Sequence, residues 1–350
     1  MERLKCLDGL RGVLAVYVTM SHMAPFAVSP PWLASVLSHG GAAVDVFFIL
    51  SGLVIVRSLE GLEYRAQPFL LARFWRIFPV FLAMFAVAVA VQAVPAGFER
   101  MPWIEENSPA FAIWPQGWPR LWAAEVAAHL TMTHGLFPNA VLPDAWVSFL
   151  GASWSLSTEW QFYVCALLLG RRAWWILLSV AFAGTVWAMA TPEGWHFSRA
   201  FLPNKAGYFA LGIASAGGGR RYGLTLAAVL ALGWWQGGLG KLVAPLVWAV
   251  CLAAQSRPSW LSWVLESPPA QWLGELSYSL YLANEPVQKL LGVGLSAWAN
   301  GDGWWFTAFW VPGALGLPLL VAMALRRWIE RPALAWGRRG VYTRGHENSG

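Results

Sequence analysis

The chain has 350 residues, of which 57% are hydrophobic and 12% are charged, and its net charge is +6. The charged fraction is about half of the ~25% that is usual in soluble domains, which excludes a soluble globule with a polar surface. The 24 Lys and Arg residues are dispersed between apolar segments, so a nucleic-acid partner is not expected. Basic loops on the cytoplasmic side of a membrane explain them better. We expect an all-α integral membrane protein.

Ten apolar segments are candidates to cross the roughly 30 Å hydrocarbon core of a bilayer. They lie at about 7–28, 41–59, 69–94, 154–170, 173–190, 201–216, 222–236, 240–255, 272–293 and 303–325. An eleventh segment, 121–136, contains one Glu and two His residues, and we expect it to be re-entrant or interfacial. With ten spans and cytoplasmic N- and C-termini, most basic residues, Arg3 among them, face the cytoplasm. An eleventh crossing would place the later Arg pairs on the opposite side.

The domain organisation follows from the same pattern. The sequence predicts one transmembrane domain, 1–332, followed by a short basic cytoplasmic tail, 333–350. A segment rich in Pro and Trp, 95–120, is predicted to form part of an external cap. The three cysteines have no metal-like spacing, and no metal site is expected.

The first apolar segment, LDGLRGVLAVYVTMSH, carries ionisable residues at both ends. Arg11 and His22 are 11 residues apart, which is a rotation of ~1100° and a rise of ~16 Å in an α-helix. The two side chains therefore share one helix face, with the arginine near the inner surface. Ionisable side chains inside a span are costly and generally face a functional cavity. The alternative is that His22 is a structural imidazole bonded to a neighbouring helix.

Two further arginines begin the third apolar segment, in LLARFWRIFP. Arg73 and Arg76 are expected at the cytoplasmic end, beside Arg11. Three guanidinium groups suit a multiply charged phosphate ligand, because Arg binds phosphate through two parallel hydrogen bonds. The alternative for Arg73 and Arg76 is the ordinary excess of basic residues at cytoplasmic helix ends.

Two carboxylates are predicted at the depth of His22. Asp45 and Glu159 each lie about one turn into a span that runs inward. A carboxylate beside a histidine fixes the imidazole tautomer and stabilises the imidazolium, as general-base catalysis requires. Acidic residues in a first helical turn are also favoured by the helix dipole alone. Hydroxyl groups that could donate to a developing negative charge are those of Ser51, Ser155, Ser157 and Tyr163.

A phosphate site at one depth and an acid–base site at another suit a long ligand with a reactive group at one end. An acyl-coenzyme A has this form: its nucleotide would bind the arginines while its pantetheine arm reaches His22. It would be a co-substrate, and no bound cofactor is expected.

Six segments in order resemble the membrane-bound acyltransferase-3 family, whose bacterial members include O-acetyltransferases of surface polysaccharides and lipopolysaccharide. The segments are LDGLRGVLAVYVTMSH, GGAAVDVFFILSGLVI, RFWRIFP, WSLSTEWQFY, LGELSYSLYLANEP and IERP. The resemblance covers nearly the whole chain and implies ten spans, with His22 as the catalytic histidine. It also implies that Arg11, Arg73 and Arg76 bind the donor. Relatives commonly have a histidine where this chain has Asn284, a departure that bears on substrate preference.

These observations predict a multi-pass O-acyltransferase of the inner (cytoplasmic) membrane. It would move an acetyl group from cytoplasmic acetyl-coenzyme A to a hydroxyl of an extracytoplasmic glycan or glycolipid precursor. His22 would deprotonate that hydroxyl, although a covalent acyl-histidine is an alternative. The acceptor could equally be a small molecule such as a macrolide, and the donor could carry a longer acyl chain. The same intramembrane charges would also suit a transporter or flippase.

Overall fold

The structure is a computed structural model that describes residues 4–347, and this part of the chain is helical with no β-strand. Arg3, which was predicted to be cytoplasmic, lies outside the described residues. Within residues 4–347, fifteen α-helices follow one another as α1 (Lys5–Met23), α2 (Pro31–Leu37), α3 (Gly40–Gly61), α4 (Ala66–Gln92), α5 (Ala110–Ile113), α6 (Trp122–Leu130), α7 (Trp154–Leu169), α8 (Ala173–Ala190), α9 (Ala206–Gly217), α10 (Gly219–Gly237), α11 (Leu239–Ser256), α12 (Trp260–Leu265), α13 (Pro268–Ala299), α14 (Gly303–Leu325) and α15 (Arg331–Glu347).

The ten predicted apolar segments coincide with ten of these helices, namely α1, α3, α4, α7 to α11, α13 and α14. Five helical stretches of the described chain are long and apolar enough to cross a membrane by length and composition. They are Pro31–Gly61, Ala66–Gln92, Ala173–Ala190, Leu239–Ser256 and Gly303–Arg339. The chain is therefore a membrane protein with an all-α fold.

The segment 121–136 is not a long helix. Its α-helix, α6, has nine residues and rises about 14 Å, less than half of the hydrocarbon thickness. Two histidines of this segment stack on each other, with the ring centroids of His129 and His134 4.1 Å apart. Burial lowers the pKa of His129 to about 4 and also lowers the pKa of His134. Both imidazoles are therefore neutral and pack inside the protein.

The C-terminal basic segment begins inside a helix. The predicted domain boundary at residue 332 falls in the first turn of α15, which follows a π-helical turn, Arg326–Glu330. The helix packs on α4, where the ring centroids of Trp336 and Trp75 are 5.7 Å apart. The first part of the predicted tail is thus in contact with the transmembrane helices.

Helices α1 and α13 approach each other at two glycines. A Cβ atom at Gly12 would overlap the backbone nitrogen of Gly274, and a Cβ atom at Gly274 would overlap the carbonyl oxygen of Asp8. Small residues allow such close backbone contact between helices in a membrane. The contact aligns the two helices so that the C-terminal end of α1 faces the middle of α13.

We expect Gly274→Ala to destabilise the protein by about 1–3 kcal/mol, since the added methyl group must push α1 and α13 apart. Gly294→Ala is the matched control, because it lies on the same helix and a Cβ there meets nothing within 4 Å. Thermal unfolding of the detergent-solubilised variants, followed by tryptophan fluorescence, measures the difference. Equal unfolding temperatures for the two variants would contradict the close-contact argument.

A second close approach joins α3 and α9. A Cβ atom at Gly212 would overlap the carbonyl oxygen of Ile49. At the end of this interface Lys205, which precedes α9, donates from Nζ to Oδ1 of Asp45 over 2.6 Å. Both side chains are buried, so the pair is an internal ion pair between α3 and the residue that precedes α9.

An aromatic cap covers one end of the helices. It is formed by side chains from the end of α1 and the segment after it, from residues 96–114 and from α14, namely Met23, Phe26, Phe98, Met101, Trp114, Phe306 and Trp310. The Trp310 indole N–H donates to the carbonyl oxygen of Met23 over 3.0 Å. This bond ties the cap to the end of α1, next to His22.

Candidate active site

A cavity with a volume of about 760 Å³ lies beneath the aromatic cap. His22 lines it, together with Val44 of α3, Trp154 of α7 and Glu285 of α13. The His22 side chain is 22% exposed, so its ring reaches the cavity while most of its surface is packed. We call this space the His22 cavity.

Asn284 fixes the orientation of the His22 imidazole. The Asn284 Nδ2 donates to the carbonyl oxygen of Tyr281 over 2.6 Å, which directs Oδ1 towards His22. The distance from this Oδ1 to His22 Nδ1 is 2.6 Å. We therefore assign the proton to Nδ1, because the amide oxygen can only accept. Nε2 then keeps its lone pair, as a general base requires.

Glu285 supplies the carboxylate beside this histidine. Its Oε1 lies 3.3 Å from His22 Nδ1, and its Oε2 accepts from the backbone N–H of Ala152 over 3.1 Å. A Cβ atom at Gly151 would lie 2.7 Å from Oε2, so glycine leaves the space that the carboxylate occupies. Glu285 was not predicted as a site residue from the sequence. It is an ionisable residue inside an apolar segment, and this same signal identified His22.

The structure does not bring Asp45 to His22, which corrects the predicted contact. Val44 lines the His22 cavity, and the next residue is rotated by ~100° around α3. Asp45 therefore points in a different direction from Val44, and it bonds to Lys205. The carboxylate that lies beside the imidazole is that of Glu285.

Glu159 lies with Arg11 in a second, smaller cavity of about 90 Å³, which also corrects its predicted depth. The backbone of Ala152 is already level with His22, because it bonds to Glu285. Glu159 comes seven residues later, or about 10 Å further along the chain direction of α7. Because helices begin at different depths, two residues that are equally far from the starts of their helices can lie at different depths. We call the cavity that Glu159 and Arg11 line the Arg11 cavity.

The two cavities are neighbours. Val44 and Tyr281 line both of them, and Arg11 and His22 line one each from the same helix. The arrangement agrees with the shared helix face that the spacing of these two residues predicted. Tyr281, which was not singled out from the sequence, stands between the two spaces.

Arg76 is held by a buried carboxylate at the edge of the Arg11 cavity. Its Nη1 donates to Oε1 of Glu330, and its guanidinium carbon lies 5.2 Å from the ring centroid of Tyr278. Tyr278 lines the Arg11 cavity. The other oxygen of Glu330, which is 1% exposed, accepts from the Ser279 hydroxyl over 2.7 Å. Glu330 belongs to the IERP segment and was not identified as a partner from the sequence.

Arg73 is placed with Tyr163, outside the lining of both cavities. Its Nη2 donates to the Ser58 hydroxyl over 3.1 Å, and its guanidinium carbon lies 6.0 Å from the Tyr163 ring centroid. The Arg73 Nε is buried and has no hydrogen-bond partner within the described part of the chain. In this conformation Arg73 therefore does not present its guanidinium to either cavity.

The predicted hydroxyl donors are distributed over three places. Ser155 lines the Arg11 cavity, whereas Ser51 is buried on α3. Ser157 donates to the carbonyl oxygen of Met132 over 2.7 Å and accepts from the backbone N–H of Gly135 over 3.1 Å. Ser157 therefore fastens a loop to α7 and is not in either cavity lining.

Comparisons with known proteins give the family. The family described as "Acyltransferase domain" (acyltransferase 3) matches residues 4–327. "Acyltransferase MdmB" of Streptomyces mycarofaciens is 28% identical over 199 residues, which cover 51% of this chain and 44% of that protein. "Protein 2 in picA locus" of Rhizobium radiobacter is 36% identical over 93 residues, which cover 25% of this chain and 46% of that protein.

The chain thus matches somewhat under half of the length of each of these relatives. No solved structure matches it. The family match, in contrast, extends over nearly all of the chain and includes His22, Asn284 and Glu285. The chain belongs to the acyltransferase 3 family.

Proposed function

We propose that the protein is an O-acyltransferase that moves an acetyl group from cytoplasmic acetyl-coenzyme A to a hydroxyl of an extracytoplasmic glycan or glycolipid precursor. The observation that carries the proposal is a histidine whose Nδ1 is occupied by Asn284, in a cavity of about 760 Å³. A cavity of this size is typical of sites that enclose a small ligand. Family membership supports acyl transfer as the chemistry.

The proposed topology has ten crossings, with both termini in the cytoplasm and the protein in the inner membrane. Its support is the coincidence of the ten apolar segments with ten helices and the distribution of Lys and Arg residues between them. In this orientation the aromatic cap and the His22 cavity face outward. The Arg11 cavity then lies on the cytoplasmic side of the His22 cavity.

In the proposed mechanism the Nε2 atom of His22 removes the proton of the acceptor hydroxyl as its oxygen attacks the thioester carbonyl carbon. The C–S bond then breaks, and the departing thiolate takes the proton from the imidazolium. The Glu285 carboxylate stabilises the positive charge while it exists. Tyr281, at the junction of the cavities, is a better placed candidate for stabilising the oxyanion than Ser51, Ser157 or Tyr163.

Donor binding requires the Arg11 cavity to widen. Its volume of about 90 Å³ equals the share of only a few water molecules at roughly 30 Å³ each, which is too small for a pantetheine thioester. Arg11 would meet the donor in this cavity. Arg76 would contribute to phosphate binding by exchanging the carboxylate of Glu330 for a donor phosphate.

The test of the proposed function uses the purified protein in detergent, radiolabelled acetyl-coenzyme A and extracted envelope glycans. Acceptor-dependent release of coenzyme A, with label on the glycan, is the expected result. Movement of an unmodified solute across proteoliposomes without coenzyme A release would support a transporter and contradict the proposal.

Asn284→Leu is expected to lower kcat by about 100-fold, because the His22 imidazole loses the acceptor that selects its reactive tautomer. The KM for the donor should remain unchanged, since Asn284 does not itself line the Arg11 cavity. Asn284→His should retain much of the activity, because an imidazole nitrogen can also accept from Nδ1–H. Steady-state kinetics of the two variants measure the effect, and equal activities would contradict the positioning role.

A further inference from the structure

The His22 cavity contains a cation that the catalytic arrangement does not use. Arg199 is the only Lys or Arg among the described residues that line this cavity. Its guanidinium carbon lies 4.8 Å from the ring centroid of Trp146 and 5.7 Å from that of Trp154. Both tryptophans also line the cavity. Stacking on aromatic faces holds a guanidinium in place and leaves the N–H groups at its edge available.

Arg199 has no carboxylate partner within the described part of the chain. No ion pair joins it to an acidic side chain, and the nearest acid of the catalytic arrangement, Glu285, is occupied by His22 and Ala152. The neighbouring cation is different. Lys205, with its Nζ 5.6 Å from the Trp154 ring centroid, is neutralised by Asp45. The positive charge of Arg199 is therefore available to a ligand.

We propose that Arg199, Trp146 and Trp154 form an acceptor subsite that selects an acidic sugar, one that carries a carboxylate or a phosphate ester. This inference rests on the proposed function, because it treats the His22 cavity as the place where the acceptor binds. A guanidinium binds either anion through two parallel hydrogen bonds. Indole faces offer the apolar C–H face of a sugar ring a large, rigid contact surface.

The subsite would set the acceptor specificity and leave the chemistry to His22. An acidic group held at Arg199 would fix the sugar within the same cavity as Nε2, so that a neighbouring hydroxyl meets the base. A neutral sugar of the same size would still enter, but without this anchor it would bind more weakly.

The test compares three acceptor probes with the full-length protein in detergent. The probes are p-nitrophenyl β-D-glucuronide, which carries a carboxylate, glucose 1-phosphate, which carries a phosphate, and the neutral p-nitrophenyl β-D-glucoside. Equilibrium dialysis measures binding without turnover, and transfer from acetyl-coenzyme A is measured in parallel. The variants are Arg199→Gln and Arg199→Lys. Arg120→Gln is the matched control, because Arg120 lines a different cavity.

The wild-type protein should bind at least one acidic probe about tenfold more tightly than the neutral probe, as expected for a charge-assisted hydrogen bond. The acidic probe that binds identifies the anion as carboxylate or phosphate. Arg199→Gln should remove the preference and leave binding of the neutral probe unchanged. Arg199→Lys should keep part of it, since the charge remains without the planar fork. Arg120→Gln should behave as wild type.

Equal affinities of the wild-type protein for acidic and neutral probes, or binding of neither acidic probe, would overturn the subsite. Equal weakening of all probes by Arg199→Gln would also overturn it, because the residue would then act only in packing. Each of the two proposals can be contradicted without the other. Selective binding without acetyl transfer to any probe contradicts the proposed function alone, and transfer without an acidic preference contradicts the subsite alone.

Discussion

Replacing His22 by alanine is expected to lower the rate constant of acyl transfer by about 10²–10⁴-fold, the usual contribution of a positioned general base. The reason is that Nε2 is the basic atom left free by the Asn284 contact. Donor binding should persist, because Arg11 lines a separate cavity. Single-turnover transfer from radiolabelled acetyl-coenzyme A measures the rate, and equilibrium dialysis measures the dissociation constant of the donor.

His39→Ala is the matched control for this prediction. His39 is an exposed histidine at the start of α3 and should be replaceable without loss of transfer. Acid quenching of the wild-type reaction adds a second readout. Label retained on the protein would indicate the covalent acyl-histidine route, whereas label on the acceptor alone supports direct transfer. Full activity of His22→Ala would end both mechanisms.

Asp45→Asn is expected to destabilise the protein by about 3–5 kcal/mol, the range for removing one partner of a buried ion pair. The variant leaves the ammonium group of Lys205 buried without a carboxylate to compensate it. Thermal unfolding of the detergent-solubilised protein, followed by size-exclusion chromatography, measures the loss. The double substitution Asp45→Leu with Lys205→Leu should recover much of it, because no unpaired charge remains.

An exposed ion pair is the control for this prediction. Glu99 and Arg100 pair over 3.7 Å with side chains that are 71% and 53% exposed. Glu99→Gln should therefore change the stability by less than about 1 kcal/mol. Equal effects of Asp45→Asn and Glu99→Gln would show that burial does not determine the strength of the Lys205 pair.

The spacing of apolar residues along the sequence determined where the helices of this protein lie. Residue spacing also determined which residues of one helix share a face. The ten apolar segments coincide with ten helices, since burial in lipid or in a helix bundle selects the same residue types. Arg11 and His22 share a face because 11 residues complete about three turns of any α-helix. The shortness of α6 also followed from the sequence, where acidic and histidine residues interrupt the apolar pattern.

Only the tertiary structure decided the partners of these residues. His22 meets an asparagine that lies 262 positions away in the chain, and no local pattern specifies a contact of that separation. Asp45 and Glu159 were expected beside His22 but lie elsewhere, since the level at which each helix begins and its rotation are set by packing between helices. Close contacts at glycines contribute to this packing, as where Gly212 of α9 meets Ile49 of α3. The contact of Glu285 with His22 is therefore a property of the assembled helices.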